Sequence, residues 1–129
     1  MPYGVNEGDV VTRIGGVAAQ VLTADALGAA IDLQDYEGEL IVLLNSAAGT
    51  GNADNTLAVN LKESDTSGGS YTDVAGGAFS AVSTAASAQK ISVNSDEMKR
   101  YVKFNLDVGG TTPSFVMAAE LLGIKKNPA

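Results

Sequence analysis

The chain has 129 residues, a net charge of −7 and a mass of 13.1 kDa, which is one domain's worth of protein. It has no histidine, cysteine or tryptophan. That excludes the Ser-His-Asp triad, thiol nucleophiles, disulfides and the usual zinc, haem and iron–sulfur ligand sets. The acidic balance and 5% aromatic content also argue against a nucleic-acid partner, which needs a basic footprint and stacking surfaces.

In chain order, the turn formers Gly, Ser, Thr, Asn and Asp punctuate short apolar segments. Asp9–Ile14 is β-branched and reads as a first strand. Gly15-Gly16 breaks it, and Val17–Leu22 follows as a second short strand or a bulged extension. Ala24–Ala30 reads as a loop leading to a strand at Ala29–Leu33, because Gly28 interrupts its helical propensity. Glu39–Asn45 is continuously apolar at its centre and predicts a strand buried on both faces. Ser46–Asn55 is a loop by composition. In Thr56–Glu63, Leu57, Val59 and Leu61 alternate with Ala58, Asn60 and Lys62, as in a half-buried strand.

Ser64–Ser70 is a turn, and Tyr71–Val74 returns from it to make a hairpin ended by Gly76-Gly77. Ala78–Ser87 fits loop or strand. Lys90–Val93 is a strand with Ile91 and Val93 inward, and Asp96–Lys99 is a polar corner. Arg100–Val108 alternates most clearly, with Val102, Phe104, Leu106 and Val108 on one face. Gly109–Pro113 is a turn, and Ser114–Ile124 reads as a strand paired across it with the preceding one. Lys125–Ala129 reads as a frayed tail. About eight short strands with turn signals every 8–12 residues predict an antiparallel β-sandwich of jelly-roll type, with a Greek-key barrel as the alternative.

The charge is uneven along the chain. Residues 1–82 hold eleven acids and two bases, while residues 83–129 hold six bases and four acids. This fits either an ordinary solvated surface or a molecule with an acidic side toward solvent and a more basic side toward an acidic partner. No basic n-region or long apolar run marks a signal peptide, and the longest apolar stretch is Leu40–Leu44. The sequence therefore predicts a protein made and folded in a cytoplasm, with no membrane partner.

Little in the chain points to catalysis or ligand chemistry. Asp32, Asp35, Glu37 and Glu39 crowd one corner and read as a solvated charged turn rather than the opposed carboxylates of a glycosidase. The loop Thr50–Asn55, with Asp65 and Asp73, offers oxygen ligands for Ca²⁺ but lacks the EF-hand order. It reads better as an Asx/Gly turn. Gly49-Thr50-Gly51 and Gly68-Gly69 do not match a phosphate-binding loop. Lys99, Arg100 and Lys103 form a small basic cluster with Tyr101, which reads as the outer face of a strand or a protein contact. The chain is read as a non-enzyme, with no cofactor and no metal expected.

Three segments recur in a familiar order. Ile31, Asp32, Leu33, Tyr36, Glu37 and Gly38 come first, then Glu63, Ser64, Tyr71, Asp73 and Val74, then Lys99, Arg100, Tyr101, Val102 and Lys103. Over about residues 29–124 this order resembles a family of small tailed-bacteriophage virion proteins, the head decoration or capsid cement proteins. The resemblance implies a compact β-sandwich or jelly roll, often trimeric, clamped on the outside of an icosahedral head. It implies the major capsid protein and further copies of the chain, as a homotrimer, as partners. Similar domains serve in phage tails and necks, and jelly rolls also serve as glycan- or receptor-binding modules, for which Tyr3, Tyr36, Tyr71 and Tyr101 are the candidates.

Residues 1–28 match nothing in that family and read as an N-terminal arm with the first strand or strands, ahead of a sandwich body over 29–129. The expected contacts with the shell or a neighbouring subunit are Pro2, Tyr3, Val5, Val10 and Arg13 in the first segment. In the basic stretch they are Lys99, Arg100, Tyr101 and Lys103.

Overall fold

The computed structural model describes residues 11–125. It contains nine strands: β1 (Val11–Leu22), β2 (Ala26–Leu27), β3 (Ile31–Asp32), β4 (Tyr36–Ser46), β5 (Thr56–Ser64), β6 (Thr72–Ala78), β7 (Ser87–Asn94), β8 (Tyr101–Gly109) and β9 (Phe115–Lys125). A single 3₁₀ turn at Ser95–Glu97 is capped by the Asn94 side chain, which accepts from the Asp96 N–H at 2.9 Å. None of the described helix is long and apolar enough to cross a membrane.

The pairing is nested. β5 pairs with β6 at the centre of the sequence, β4 with β7 outside it, β2 and β3 with β8 outside that, and β1 with β9 outermost, all antiparallel. The chain is thus a long two-stranded ribbon. The ribbon wraps so that β4 also meets β9 and β5 also meets β8. The result is two sheets, β1-β9-β4-β7 and β2/β3-β8-β5-β6. This is an all-β sandwich with the strand order of a jelly roll, as the alternation predicts.

The core lies between the sheets and follows the period of two. Leu57, Val59 and Leu61 of β5 and Val102, Phe104 and Leu106 of β8 face Leu40, Val42 and Leu44 of β4. Phe115, Met117, Ala119 and Leu121 of β9 complete it, all 2% exposed or less. Each large side chain so buried contributes about 1.5–3 kcal/mol from apolar area removed from water.

Several details differ from the sequence reading. Gly15-Gly16 does not break the first strand: of the two readings of Val17–Leu22, the bulged extension holds, and β1 runs through the glycines with register shifts between Arg13 and Gly15 and between Val17 and Gln20. A Cβ on Gly16 would press into the Ala119 carbonyl oxygen and stand 3.0 Å from Glu120 Cα, so glycine here permits close approach of two backbones. β1 also has a core role, since Val17 and Leu22 are buried. Gly76-Gly77 does not end β6. The strand continues to Ala78 through a bulge, between the pairs Lys62–Asp73 and Asn60–Ala78, in which Gly76 takes φ +74°.

β4 is not buried on both faces. Leu40, Val42 and Leu44 are buried, whereas Ile41 and Leu43 point outward and are half-buried. The turn Gly109–Pro113 joins no hairpin. β8 and β9 lie in different sheets, and the chain crosses between them there. Lys125 is the last residue of β9 rather than part of a frayed tail, and the rest of that tail, 126–129, lies outside the described residues.

Candidate functional site

The basic stretch and the hairpin motif meet on the outer face of the β2/β3-β8-β5-β6 sheet. Alternation along β8 turns Tyr101, Lys103, Asn105 and Asp107 outward, and the register sets Lys103 opposite Lys62 and Asn105 opposite Asn60 on β5. Two lysines directly opposite repel. Each is offset: Lys62 Nζ lies 3.5 Å from Asp73 Oδ1, and Lys103 Nζ lies 4.5 Å from the centroid of the Tyr71 ring. Asn60 Nδ2 donates to Asp73 Oδ1 at 3.0 Å, and Asn105 Nδ2 donates to both Asn60 Oδ1 and Asp107 Oδ2. A shallow cleft of about 340 Å³ opens over this network beside the β6 bulge, lined by Asn60, Lys62, Asp73, Asn105 and Asp107 among others.

Arg100 sits just before β8. Its Nε and Nη2 donate to Asp32 Oδ1 and Oδ2 at 3.0 and 2.8 Å, a bidentate pair that pins β3 to the start of β8. The Arg100 hydrogen bond holds the Asp32 carboxyl below the usual carboxylate range, helped by the Gln34 N–H. The same bond raises Arg100. The guanidinium also lies 4.9 Å from the Tyr101 ring centroid. The backbone N–H of Lys99 donates to Glu63 Oε1 at 2.9 Å. The Tyr71 hydroxyl donates to the Ser67 carbonyl at 2.8 Å, and partial desolvation, then Tyr101 nearby, raises its pKa.

The structure therefore brings Lys99, Arg100, Tyr101 and Lys103 to one area and adds Tyr71, Asp32, Glu63 and Asp73. Tyr71 supplies the second aromatic ring beside Tyr101 that the sequence of β8 alone lacks. The sequence singles out Tyr71 in the second motif, but its place beside Tyr101 follows only from the β5–β6 and β5–β8 pairings. Arg100 is paired with the Asp32 carboxylate, Lys62 with Asp73, and Lys103 lies over the Tyr71 ring, so these three cations are engaged within a polar, hydrogen-bonded face.

Arg13 is not part of this area. It lies on β1 in the other sheet, where its Nε donates to Glu120 Oε1 at 2.9 Å. Pro2, Tyr3, Val5 and Val10 lie outside the described residues. Nor do the acidic and basic parts of the sequence become two sides of the molecule. The ribbon pairs its first arm with its second, so both sheets draw strands from both parts.

The loop considered for calcium is organised around its last residue, Asn55, whose side chain bonds the loop's own backbone in the manner of the Asx-turn reading. Asn55 is fully buried. Its Nδ2 donates to the Thr50 carbonyl, and its own carbonyl accepts from Ser83 Oγ at 2.8 Å. Asp54 clamps the neighbouring loop, accepting from the Thr111 N–H at 3.1 Å and Oγ1 at 2.9 Å, and these bonds lower its pKa. Among the described residues no three acidic side chains come together as a metal site.

In comparison with known proteins, no family model matches the chain and no curated protein matches it.

Proposed function

We propose that the protein is a structural component of a tailed-bacteriophage virion, a decoration protein that binds the outside of the head through the major capsid protein and stabilises the shell. One observation carries this reading: the three segments of the resemblance, far apart in sequence, interlock in space. Asp32 of the first bonds Arg100 of the third, Glu63 of the second bonds Lys99 of the third, and Tyr71 of the second carries Lys103 of the third. The ordered motifs are thus one constellation, which gives their joint occurrence a physical basis.

Head binding by such a protein gains strength from repetition, since weak contacts multiply when several linked copies engage neighbouring shell subunits. The homotrimer implied by the resemblance, set on threefold positions, belongs to this proposal. The glycan-binding alternative asks for open tyrosine faces beside Asp or Asn. The Tyr71 and Tyr101 rings instead carry Lys103 and Arg100.

The test is co-sedimentation of the purified protein with expanded, DNA-filled heads and, separately, with purified tails of the encoding phage. Binding to heads at a fixed ratio to the major capsid protein is the expected result. Binding to tails alone would move the protein to the tail or neck.

A further inference from the structure

The two outer faces of the sandwich differ in kind. The face just described is polar and internally hydrogen-bonded, whereas the outer face of the β1-β9-β4-β7 sheet is largely apolar. Alternation turns Val116, Leu122 and Ile124 of β9 and Ile41 and Leu43 of β4 away from the core. Val21 of β1 stands beside Val116, and the two are 60% and 52% exposed. The apolar side chains thus occupy the two central strands of the sheet and reach its β1 edge at Val21.

We infer that this face is the subunit contact of the trimer: three copies set their β1-β9-β4-β7 sheets as the sides of a triangular prism, with the three-fold axis running along the strands. The inference rests on the trimer in the reading above and names its interface.

Sheet topology and width fit such a prism. The four strands alternate in direction, so the two edges, β1 and β7, run antiparallel to each other. Around a three-fold axis β7 of one copy meets β1 of the next, and the seam keeps the alternation of the sheet. Four strands and one seam, each about 4.8 Å wide, make a side of about 24 Å. The axis of that triangle lies about 7 Å from each sheet, within reach of Val, Leu and Ile side chains, which let two facing sheets pack about 10 Å apart. Four copies would set the sheets about 12 Å from the axis and leave an open channel with apolar walls.

A three-fold axis along the strands sets each cross-strand row against the same row of both neighbours. Val21 with Val116 makes one layer, and Ile41 with Leu122 another. Between them, Asn45 is flanked by Ala118 and Ala88, whose small side chains leave room for water to satisfy the three amides. In the remaining row Leu43 stands between Glu120 and Lys90, with Gly16 at the edge beyond Glu120. Across the seam Lys90 of one copy meets Gly16 of the next, which has no side chain, and behind it Glu120, at about 8 Å between Cα atoms. Arg13 holds Glu120 Oε1, which leaves Oε2 for that lysine. Each Glu120 thus has one cation from its own chain and one from its neighbour, which offsets the cost of bringing three acids around one axis.

The other acids point away from the contact. Glu39, beside Asn94, lies at the open end of the prism. Asp32, Glu63, Asp73 and Asp107 lie on the opposite sheet or its approaches, about 17 Å from the axis and about 29 Å from their copies, well past the screening length of about 10 Å. Over about 30 Å of strand each side covers about 600 Å², and the three together about 1,800 Å², which is the range of a stable specific interface. Each copy touches both others, so the contacts form together.

The test is multi-angle light scattering of the full chain, with circular dichroism to check the fold. The native protein should hold a mass of three times 13.1 kDa. Val116→Glu sets three further acids around the axis and should reduce that mass to one chain, while the fold stays because the side chain is exposed in the single copy. Leu27→Glu, at a side chain 52% exposed on the other sheet, should stay a trimer. The chain has no cysteine, so Val116→Cys introduces a single thiol. Its copies stand about 13 Å apart between Cα atoms, and a short bismaleimide should join two chains on a denaturing gel. At Asp107→Cys, about 29 Å apart, the same reagent should join none. Crosslinking decides the face independently of the fold of the Glu variant. A native trimer that survives Val116→Glu, or that crosslinks at 107 and not at 116, overturns this interface and leaves the trimer standing. A native mass of one or two chains removes the interface and the trimer together. Co-sedimentation with heads decides the other reading by itself: a monomer that binds heads keeps the decoration role without this contact, whereas a prism trimer that ignores heads does the reverse.

Discussion

Two glycines on the same sheet test whether backbone approach, rather than glycine content, sets the geometry of β1 and β9. At Gly16 an added Cβ meets the Ala119 carbonyl oxygen and stands 3.0 Å from Glu120 Cα, both backbone atoms of β9. Gly16→Ala must therefore push the strands apart locally. This loses one or two ladder hydrogen bonds at about 1 kcal/mol each and adds overpacking strain of about 1–3 kcal/mol. Restricting the unfolded chain returns about 0.4–1 kcal/mol. The net loss is about 2–3 kcal/mol. At Gly123 the added Cβ stands 2.7 Å from Ile14 Cδ1 and 2.7 Å from Leu40 Cδ2, both free ends of side chains that can rotate. Gly123→Ala should cost about 1 kcal/mol, mostly in displaced rotamers. Urea titration and thermal melting of both variants measure the difference. At about 3–5 °C per kcal/mol for a chain of this size, Gly16→Ala should melt about 8–12 °C below native and Gly123→Ala within about 4 °C. A Gly16→Ala protein that melts within 3 °C of native, or above Gly123→Ala, would refute the close-approach argument.

Other consequences are as direct. Phe115→Ala empties a fully buried site whose ring lies against Gly49, and should lower stability by about 3–5 kcal/mol in urea titration. Asp32→Asn removes the carboxylate that Arg100 holds. Because the folded carboxyl titrates below the unfolded one, its contribution is present at neutral pH and is lost as pH falls below about 4 toward the folded value. Melts of native and variant should therefore differ at pH 7 and converge in acid, and 0.5 M salt should narrow the gap. Under the head-binding proposal, Lys99→Glu with Lys103→Glu, or removal of residues 1–8, should lower head occupancy in co-sedimentation. Unchanged occupancy removes the altered segment from the contact.

Alternation alone made most of the strands legible. Val102, Phe104 and Leu106, or Leu57, Val59 and Leu61, declare an inward face because period two is a local property of the backbone. What escaped depends on partners distant in sequence. A continuous run such as Leu40–Leu44 cannot say which of its faces is covered, so Ile41 and Leu43 read as core although they point outward. Gly15-Gly16 and Gly76-Gly77 look like breaks because glycine weakens a strand. Whether it ends one or admits a bulge or a close neighbour is settled across the ladder, by Ala119 in one case and by β5 in the other. The Gly109–Pro113 turn has the composition of a hairpin, but β8 and β9 enter different sheets because each finds its neighbours through the wrapped ribbon.

The candidate site divides the same way. Lys99–Lys103 stands out as a local cluster of charge beside an aromatic ring. That Arg100 is matched by Asp32 and Lys103 by Tyr71 follows only from cross-strand pairing, because opposite charges and rings reduce each other's cost when the fold sets them a few ångströms apart. By itself the sequence determined the all-β class, the inward residues and a chain without thiol or imidazole chemistry, since composition and period need no partner. The tertiary structure decided which outer face is polar and which apolar. That difference depends on which strands lie side by side, and register is fixed only when the whole core closes.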